Sequence, residues 1–363
     1  RVTAMLVHQL IFQGKKDKFA FLGARGEAVT YGQLQDLVAA YRNFFYAQGI
    51  RAGENVGLLS KNCVEFVYSY LAITSMGAIV VPLNFQLTEQ EVAYILKDAQ
   101  VKHLVAERAM DLPVSVLVFA EFKEAVSQSY ESVAPVLEDS SENEQRPCAI
   151  IYTSGTTGKP KGAVLSHRNL ISNAQSYRQV LPMVPEDRVL CVLPMYHCFA
   201  WTCAVFTTLL GGAAITILDA FAPKETLAAI REYQVSVIYA VPTMYNVLLR
   251  TGEAADLASV RACISGGAPL PEKIAKHFQE KFGQEILEGY GLSEASPVVT
   301  LNPPGKVKPC SIGRPLPEVS VKIEGAKGIV PPGTVGELLV QGPNVMLGYY
   351  NLPQETARAL RQG

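Results

Sequence analysis

The chain has 363 residues, 49% of them hydrophobic and 18% charged, with 28 Gly and 22 Pro. Against a typical domain of ~150 residues this length gives about two domains and a large core, and the composition excludes disordered, collagen-like and disulfide-stapled classes. Lys+Arg 32 against Asp+Glu 33 leaves a formal net charge of −1, so no overall basic field favours nucleic acid or anionic lipid, while local phosphate sites stay open. The seven Cys, at 63, 148, 191, 198, 203, 263 and 310, are odd in number and never spaced C-x-x-C. They suggest neither a disulfide framework nor a zinc knuckle, and read as buried free thiols in a reducing compartment, the cytoplasm.

In chain order, residues 4–12 form an apolar run broken by His8 and Gln9, with no small-residue cleavage site of the kind that ends a signal peptide. Short β-rich runs follow at 56–59, 79–81, 102–105, 114–119, 149–152, 189–193, 213–218, 235–240 and 261–265. They alternate with helical patterns such as 223–233 and 271–282, which start at Pro and carry apolar residues on one face. The alternation predicts an α/β fold of layered, largely parallel sheets with helices on both faces, and continuously apolar runs suit strands covered on both sides.

Residues 189–218 contain no charged side chain, and ~18 or more such residues can read as a membrane span. Here Pro194, His197 and the Gly211-Gly212 pair divide the stretch into strand, loop, short helix and strand, and residues 66–88 divide likewise at Gly77 and Pro82. No transmembrane segment is expected. The polar run 137–147, LEDSSENEQRP, reads as an exposed connector. After Asn302 a Pro/Gly-rich crossing leads to alternating runs at 319–324 and 335–341 around Pro331-Pro332-Gly333, a small antiparallel β unit, and then to a helix from Pro353. These breaks give three parts: a first α/β subdomain (1–147), a second carrying the nucleotide-type motifs (148–301) and a small β subdomain (302–363).

Four segments carry chemistry. Tyr152-Thr-Ser-Gly-Thr-Thr-Gly-Lys-Pro-Lys-Gly162 directly follows an apolar strand and packs four hydroxyls, three glycines and two lysines into eleven residues. Glycines let backbone N–H groups approach an anion, while hydroxyls and lysines donate to phosphate; a flexible surface loop is the plainer alternative. It is not the kinase-type P-loop, because two residues instead of four separate Gly155 from Gly158 and Pro160 stands where a metal-binding hydroxyl belongs. In Glu288-Gly-Tyr-Gly-Leu-Ser-Glu-Ala-Ser296, Glu294 suits the Mg²⁺ of a nucleotide, although a Glu beside a Gly turn is more often a cap or a solvated charge. Ser265-Gly-Gly-Ala-Pro-Leu270 lets a flat ring or backbone pack closely, or is simply a tight strand-to-helix turn. In Leu193-Pro-Met-Tyr-His-Cys-Phe-Ala-Trp201, a His among aromatics is more often a core residue than a catalyst.

In this order and spacing the four segments resemble the adenylate-forming superfamily of acyl-CoA synthetases, peptide-synthetase adenylation domains and firefly luciferase. The resemblance runs from Tyr31-Gly-Gln-Leu through Gly336-Glu-Leu to Gly348-Tyr-Tyr-Asn351 and is closest to bacterial fatty-acid CoA ligases. It implies that ATP and a carboxylic acid give acyl-AMP and pyrophosphate before the CoA thiol takes the acyl group. It implies catalytic roles for His197, Lys161 and Glu294. Thr153, Ser154, Gly155, Thr156, Thr157, Gly158 and Lys161 would cradle phosphates, with Thr153 and Glu294 at Mg²⁺. Gly267, Ala268, Pro269, Glu288, Gly289, Tyr290 and Gly291 would border adenine, and Ser293, where many members have Thr, would touch the α-phosphate. His197, Trp201, Tyr239, Val241, Thr243 and Gly266 would form the acyl pocket.

No carboxylate lies between Asp187 and Asp219, so a buried ammonium finds no counter-ion there, which disfavours amino acids and favours an apolar acyl or aryl chain. Members normally continue with a ribose-binding Asp, a hinge and a small mobile domain bearing a reactive-site lysine; here the last lysine is Lys327. The expectation is a large domain that binds nucleotide and acyl-adenylate but turns over poorly alone. An aryl-acid or carrier-protein ligase and a non-catalytic adenylate-binding module are the alternatives. The implied partners are small molecules, with a homodimer allowed.

Overall fold

Short runs of Val, Leu and Ile without polar alternation suit strands that are covered on both faces. The computed structural model describes residues 4–23, 28–128, 133–154 and 158–361, and the described strands form three sheets. A nine-stranded sheet has the order Arg314–Pro315, Val298–Leu301, Ile286–Gly291, Ala262–Ser265, Val237–Ala240, Arg188–Cys191, Ala214–Ile217, Phe19–Leu22, Ala28–Thr30. Its inner strands are parallel and its two margins antiparallel. A seven-stranded sheet has the order Gly348–Tyr349, Lys161–Ser166, Pro147–Thr153, Ile79–Leu83, Asn55–Leu59, His103–Ala106, Ser115–Val118, again parallel except at the Lys161–Ser166 end. The expected antiparallel unit is the three-stranded sheet of Gly328–Ile329, Ser320–Gly325 and Glu337–Gln341.

Every run expected as a strand is one, to within two residues at either end. Pro223 opens its helix as expected, whereas Pro271 caps the helix Glu272–Phe282 from outside. Sheet membership does not follow the expected division at residue 147. The N-terminal hairpin joins the nine-stranded sheet, and Pro147–Thr153 and Lys161–Ser166 join the sheet built by the first 118 residues. Pairings between strands far apart in sequence are set by tertiary packing, which local composition does not encode.

The main core lies between the two large sheets. Val56 and Val80 from one and Val189, Val237 and Ile264 from the other meet across the helices Tyr31–Ala47, Val64–Ser75 and His167–Val180. Smaller cores cover the outer faces. The charge-free stretch after Pro194 becomes a π-helix, Phe199–Phe206, followed by one α turn, Thr207–Leu210, all inside this core. Helix His167–Val180 starts at a reciprocal cap: Ser166 Oγ accepts from the Asn169 N–H at 3.0 Å, and Asn169 Oδ1 accepts from the Ser166 N–H at 2.8 Å. One buried side chain ties the sheets together near their strand ends. Asn62 donates through Nδ2 to the Leu193 and Leu218 carbonyls at 2.8 and 3.1 Å, and its Oδ1 accepts from the Met195 N–H at 2.7 Å.

Candidate active site

In parallel α/β sheets the loops beyond the carboxyl ends of the strands face one crevice. Thr153 ends a strand of the seven-stranded sheet, residues 192–198 and 266–270 follow the strands Arg188–Cys191 and Ala262–Ser265 of the nine-stranded one, and residues 289–294 run from the end of its strand Ile286–Gly291. Thr153, His197, Gly266, Gly267, Gly289, Tyr290, Gly291, Ser293 and Glu294, singled out from four separate segments of sequence, line one cavity of about 240 Å³.

Glycine is required where backbone comes close. A Cβ on Gly291 would collide with the Pro297 carbonyl, and one on Gly266 would press on the Phe199 ring at 3.1 Å. Gly267 has φ +81°, a left-handed conformation that leaves Ala268 and Pro269 as an exposed ledge. Glu288 supports this ledge from behind, its Oε1 accepting from the Leu270 N–H at 3.0 Å. Glu288 is 8% exposed and does not border the cavity.

His197 faces the cavity, and its Nδ1 accepts from the Phe199 N–H at 3.2 Å, which places the proton on Nε2. Desolvation by the surrounding wall holds its pKa below the usual histidine range, so at neutral pH it is an uncharged donor. The adjacent Cys198 thiol is pushed up to about 12, chiefly by burial, and stays protonated beside Ser293. Glu294 Oε1 accepts from the Tyr349 hydroxyl at 2.7 Å. Lys161 Nζ pairs with Glu355 Oε2 at 3.2 Å and lies 5.1 Å from the centre of the Tyr349 ring. Ser154 and Gly158 are exposed at the two ends of the hydroxyl-rich loop, Gly158 with φ +84° and open space where a Cβ would stand. Gly155, Thr156 and Thr157 lie outside the described residues.

The expected acyl wall is only partly formed by the residues named for it. His197 and Gly266 line the cavity, but Trp201 is 3% exposed inside a core cluster with Tyr70 and Phe206, at ring distances of 4.4 and 5.3 Å. Tyr239 stands fully buried one layer back, and Val241 and Thr243 do not border the cavity. The apolar wall is instead Tyr177, Phe199, Ile264, Leu292, Pro297, Val298 and Leu301. Of these Phe199 and Leu292 lie in, and Ile264 and Pro297 directly beside, a segment singled out in the sequence, whereas Tyr177, Val298 and Leu301 lie outside all four. Tyr177 sits in a helix whose apolar spacing looks the same whether it faces core or cavity.

The sequence pattern of the AMP-binding enzyme family matches residues 9–350. This chain is an AMP-binding enzyme of the acid–CoA ligase kind. A feruloyl-CoA synthase from Amycolatopsis sp. is 33% identical over 343 residues, which cover 93% of this chain and 70% of that protein. A long-chain-fatty-acid–CoA ligase from Bacillus subtilis is 31% identical, over 93% of this chain and 69% of that one. The crystal structure of ATP-bound MatB from Rhodopseudomonas palustris superposes with a TM-score of 0.91 at 29% identity, covering 99% of this chain and 74% of that one. The α/β fold expected of this AMP-binding enzyme and its large-domain extent agree with that superposition. Among the described residues no helix is long and apolar enough to cross a membrane.

Proposed function

We propose that this enzyme activates an apolar carboxylic acid with ATP and passes it, as acyl-AMP, to the thiol of CoA. A carboxylate oxygen of the acid bonds to the α-phosphorus while the bond to pyrophosphate breaks; the thiol sulfur then bonds to the acyl carbon, AMP leaves and the thiol proton is released. The carrying observation is the single cavity that gathers Thr153, His197, the Gly266-Gly267 turn, Ser293 and Glu294. Displacement at phosphorus needs positioning and charge stabilisation more than a protein nucleophile. The neutral Nε2–H of His197 suits a carboxylate oxygen of the bound acid. Thr153, Ser154 and Lys161 suit the phosphates, and the Ala268-Pro269 ledge and Tyr290 suit adenine.

Among the described residues no group of three or more His, Cys, Asp or Glu could cage a metal. That fits Mg²⁺, which is satisfied by one carboxylate, here Glu294, with the Thr153 hydroxyl, phosphate oxygens and water. When bound it neutralises charge on the leaving pyrophosphate. Amino acids are disfavoured, because Glu294 is the one carboxylate in the cavity wall and already accepts from Tyr349; both a fatty and an aryl acid fit an apolar wall.

The test is thermal stabilisation by ATP with Mg²⁺, together with acid-dependent release of AMP and pyrophosphate with and without CoA. Lys161→Ala and Glu294→Ala are each expected to weaken ATP·Mg²⁺ binding about tenfold or more, the loss of a charge-assisted contact. Wild-type shifts in both variants would remove these residues from the nucleotide site.

A further inference from the structure

The cavity is short and its far wall is aromatic. At about 240 Å³ it exceeds the roughly 150 Å³ that accepts benzene in an engineered apolar cavity, and by that scale holds on the order of ten non-hydrogen atoms. Part of that space, beside Thr153, Ser293 and Glu294, belongs to phosphate under the acid-activating reading on which this inference rests. Exposure falls from the mouth, where Tyr290 is 38% open, to Tyr177, which is 1% open.

Tyr177 closes the deep end. Its ring centre lies 6.2 Å from that of Tyr239, which in turn meets Phe199 edge-on at 6.1 Å. Trp201, Phe206 and Tyr70 pack ring on ring in the main core, and none of the three borders the cavity. The helix that carries Tyr177 is fastened to the cavity wall. One turn earlier on the same helix, Asn173 donates through Nδ2 to the Val298 carbonyl at 2.7 Å, and its Oδ1 accepts from the Val298 N–H at 3.0 Å. Val298 and Leu301, on the strand gripped in this way, are themselves part of the cavity wall. The Tyr177 hydroxyl lies beside that of Tyr239 in the buried layer, and it is the bulk of the ring that bounds the cavity.

We propose that Tyr177 sets the length limit of the acid, and that the substrate is a compact apolar acid, with a single aromatic ring or an alkyl chain of about six carbons or fewer, in place of a long-chain fatty acid. The probes are benzoate, hexanoate, octanoate, dodecanoate and hexadecanoate, titrated below their micellar concentrations into the full chain with Mg²⁺ and a non-hydrolysable ATP analogue. In the wild type benzoate and hexanoate are expected to bind at least tenfold more tightly than dodecanoate and hexadecanoate, with octanoate between them. Tyr177→Ala should bring dodecanoate to within a few-fold of octanoate and weaken benzoate, while Tyr177→Phe, which keeps the ring, should preserve the wild-type order. If Tyr177→Ala does not fold, Tyr177→Leu reads the same shift in smaller measure. Equal wild-type binding of hexanoate and hexadecanoate, or an unchanged order in the folded truncation variant, overturns the proposal while ATP binding leaves the acid-activating reading intact. A chain that neither binds ATP·Mg²⁺ nor takes up any acid sinks both.

Discussion

Tyr349 touches both charged groups of the site. Its hydroxyl donates to Glu294 and its ring faces Lys161; burial, and then the bond to Glu294, push the phenol well above the usual tyrosine range, so it remains a donor at any working pH. Tyr349→Phe removes that bond and leaves Glu294 free to turn. The Mg²⁺ concentration giving half-maximal ATP stabilisation should rise about three- to tenfold, the worth of one hydrogen bond to a charged group. Glu355 works in the other direction. It holds Lys161 at 3.2 Å in a pair that is only partly buried, and a phosphate must displace it to gain the lysine. Glu355→Gln should therefore tighten ATP binding by up to about fivefold, the small value of a half-screened pair. Titration calorimetry with ATP·Mg²⁺ checks both, and weaker ATP binding in Glu355→Gln would show that the pair supports the lysine instead of competing for it.

Loops carry the chemistry, but their placement comes from elements that do not advertise it. Asn62 follows the strand Asn55–Leu59 of the seven-stranded sheet and fixes the Leu193–Met195 backbone, just before His197, with two buried hydrogen bonds, and the Leu218 carbonyl with a third. Asn62→Ala strands two carbonyls and an N–H, which should lower unfolding free energy by about 2–4 kcal/mol in urea titrations at constant slope and weaken acid binding as well. Nothing in the sequence marks this Asn, because its partners lie more than a hundred residues away. That Thr153, the Gly266-Gly267 turn and the Gly289–Gly291 turn would come together was legible because glycine- and hydroxyl-rich turns directly after apolar strands of parallel sheets gather at one end of those sheets. The parallel strands were legible because burial on both faces leaves a continuous apolar run. Trp201, Tyr239 and Tyr177 were not separable by sequence, since an aromatic in the core and an aromatic in a cavity wall obey the same periodicity. Glu288 read as a ligand-facing residue only because the resemblance implied it; its bond to the Leu270 N–H is visible only in three dimensions.

At the scale of the molecule, the core between the sheets encloses imidazoles that it cannot afford to charge. His8, in the short helix Val7–Phe12, and His167, the first residue of the helix that carries Tyr177, are both buried, and His167 Nδ1 accepts from the Val7 N–H at 3.1 Å. His8 Nδ1 and His167 Nε2 have no partner among the described residues. Burial lowers His8 to about 4, helped by Arg42 and opposed by Asp139, and lowers His167 to about 3, helped by His8 and Arg146. Both folded values lie below the unfolded 6.5, so the unfolded chain binds protons that the fold refuses. Their neutral forms are fully compatible with the fold above pH 6.5, and stability is lost as pH falls toward 4, where His8 begins to take its proton while folded. Two such groups give a slope approaching about 2.7 kcal/mol per pH unit in that window. Urea midpoints measured at pH 7, 6 and 5 should fall accordingly, and His167→Gln, which keeps an acceptor within reach of Val7, should remove up to about half of the two-histidine slope. A pH dependence identical to wild type in that variant would move the acid sensitivity to other groups and would leave the contact between the N-terminal segment and the Tyr177 helix without a part in it.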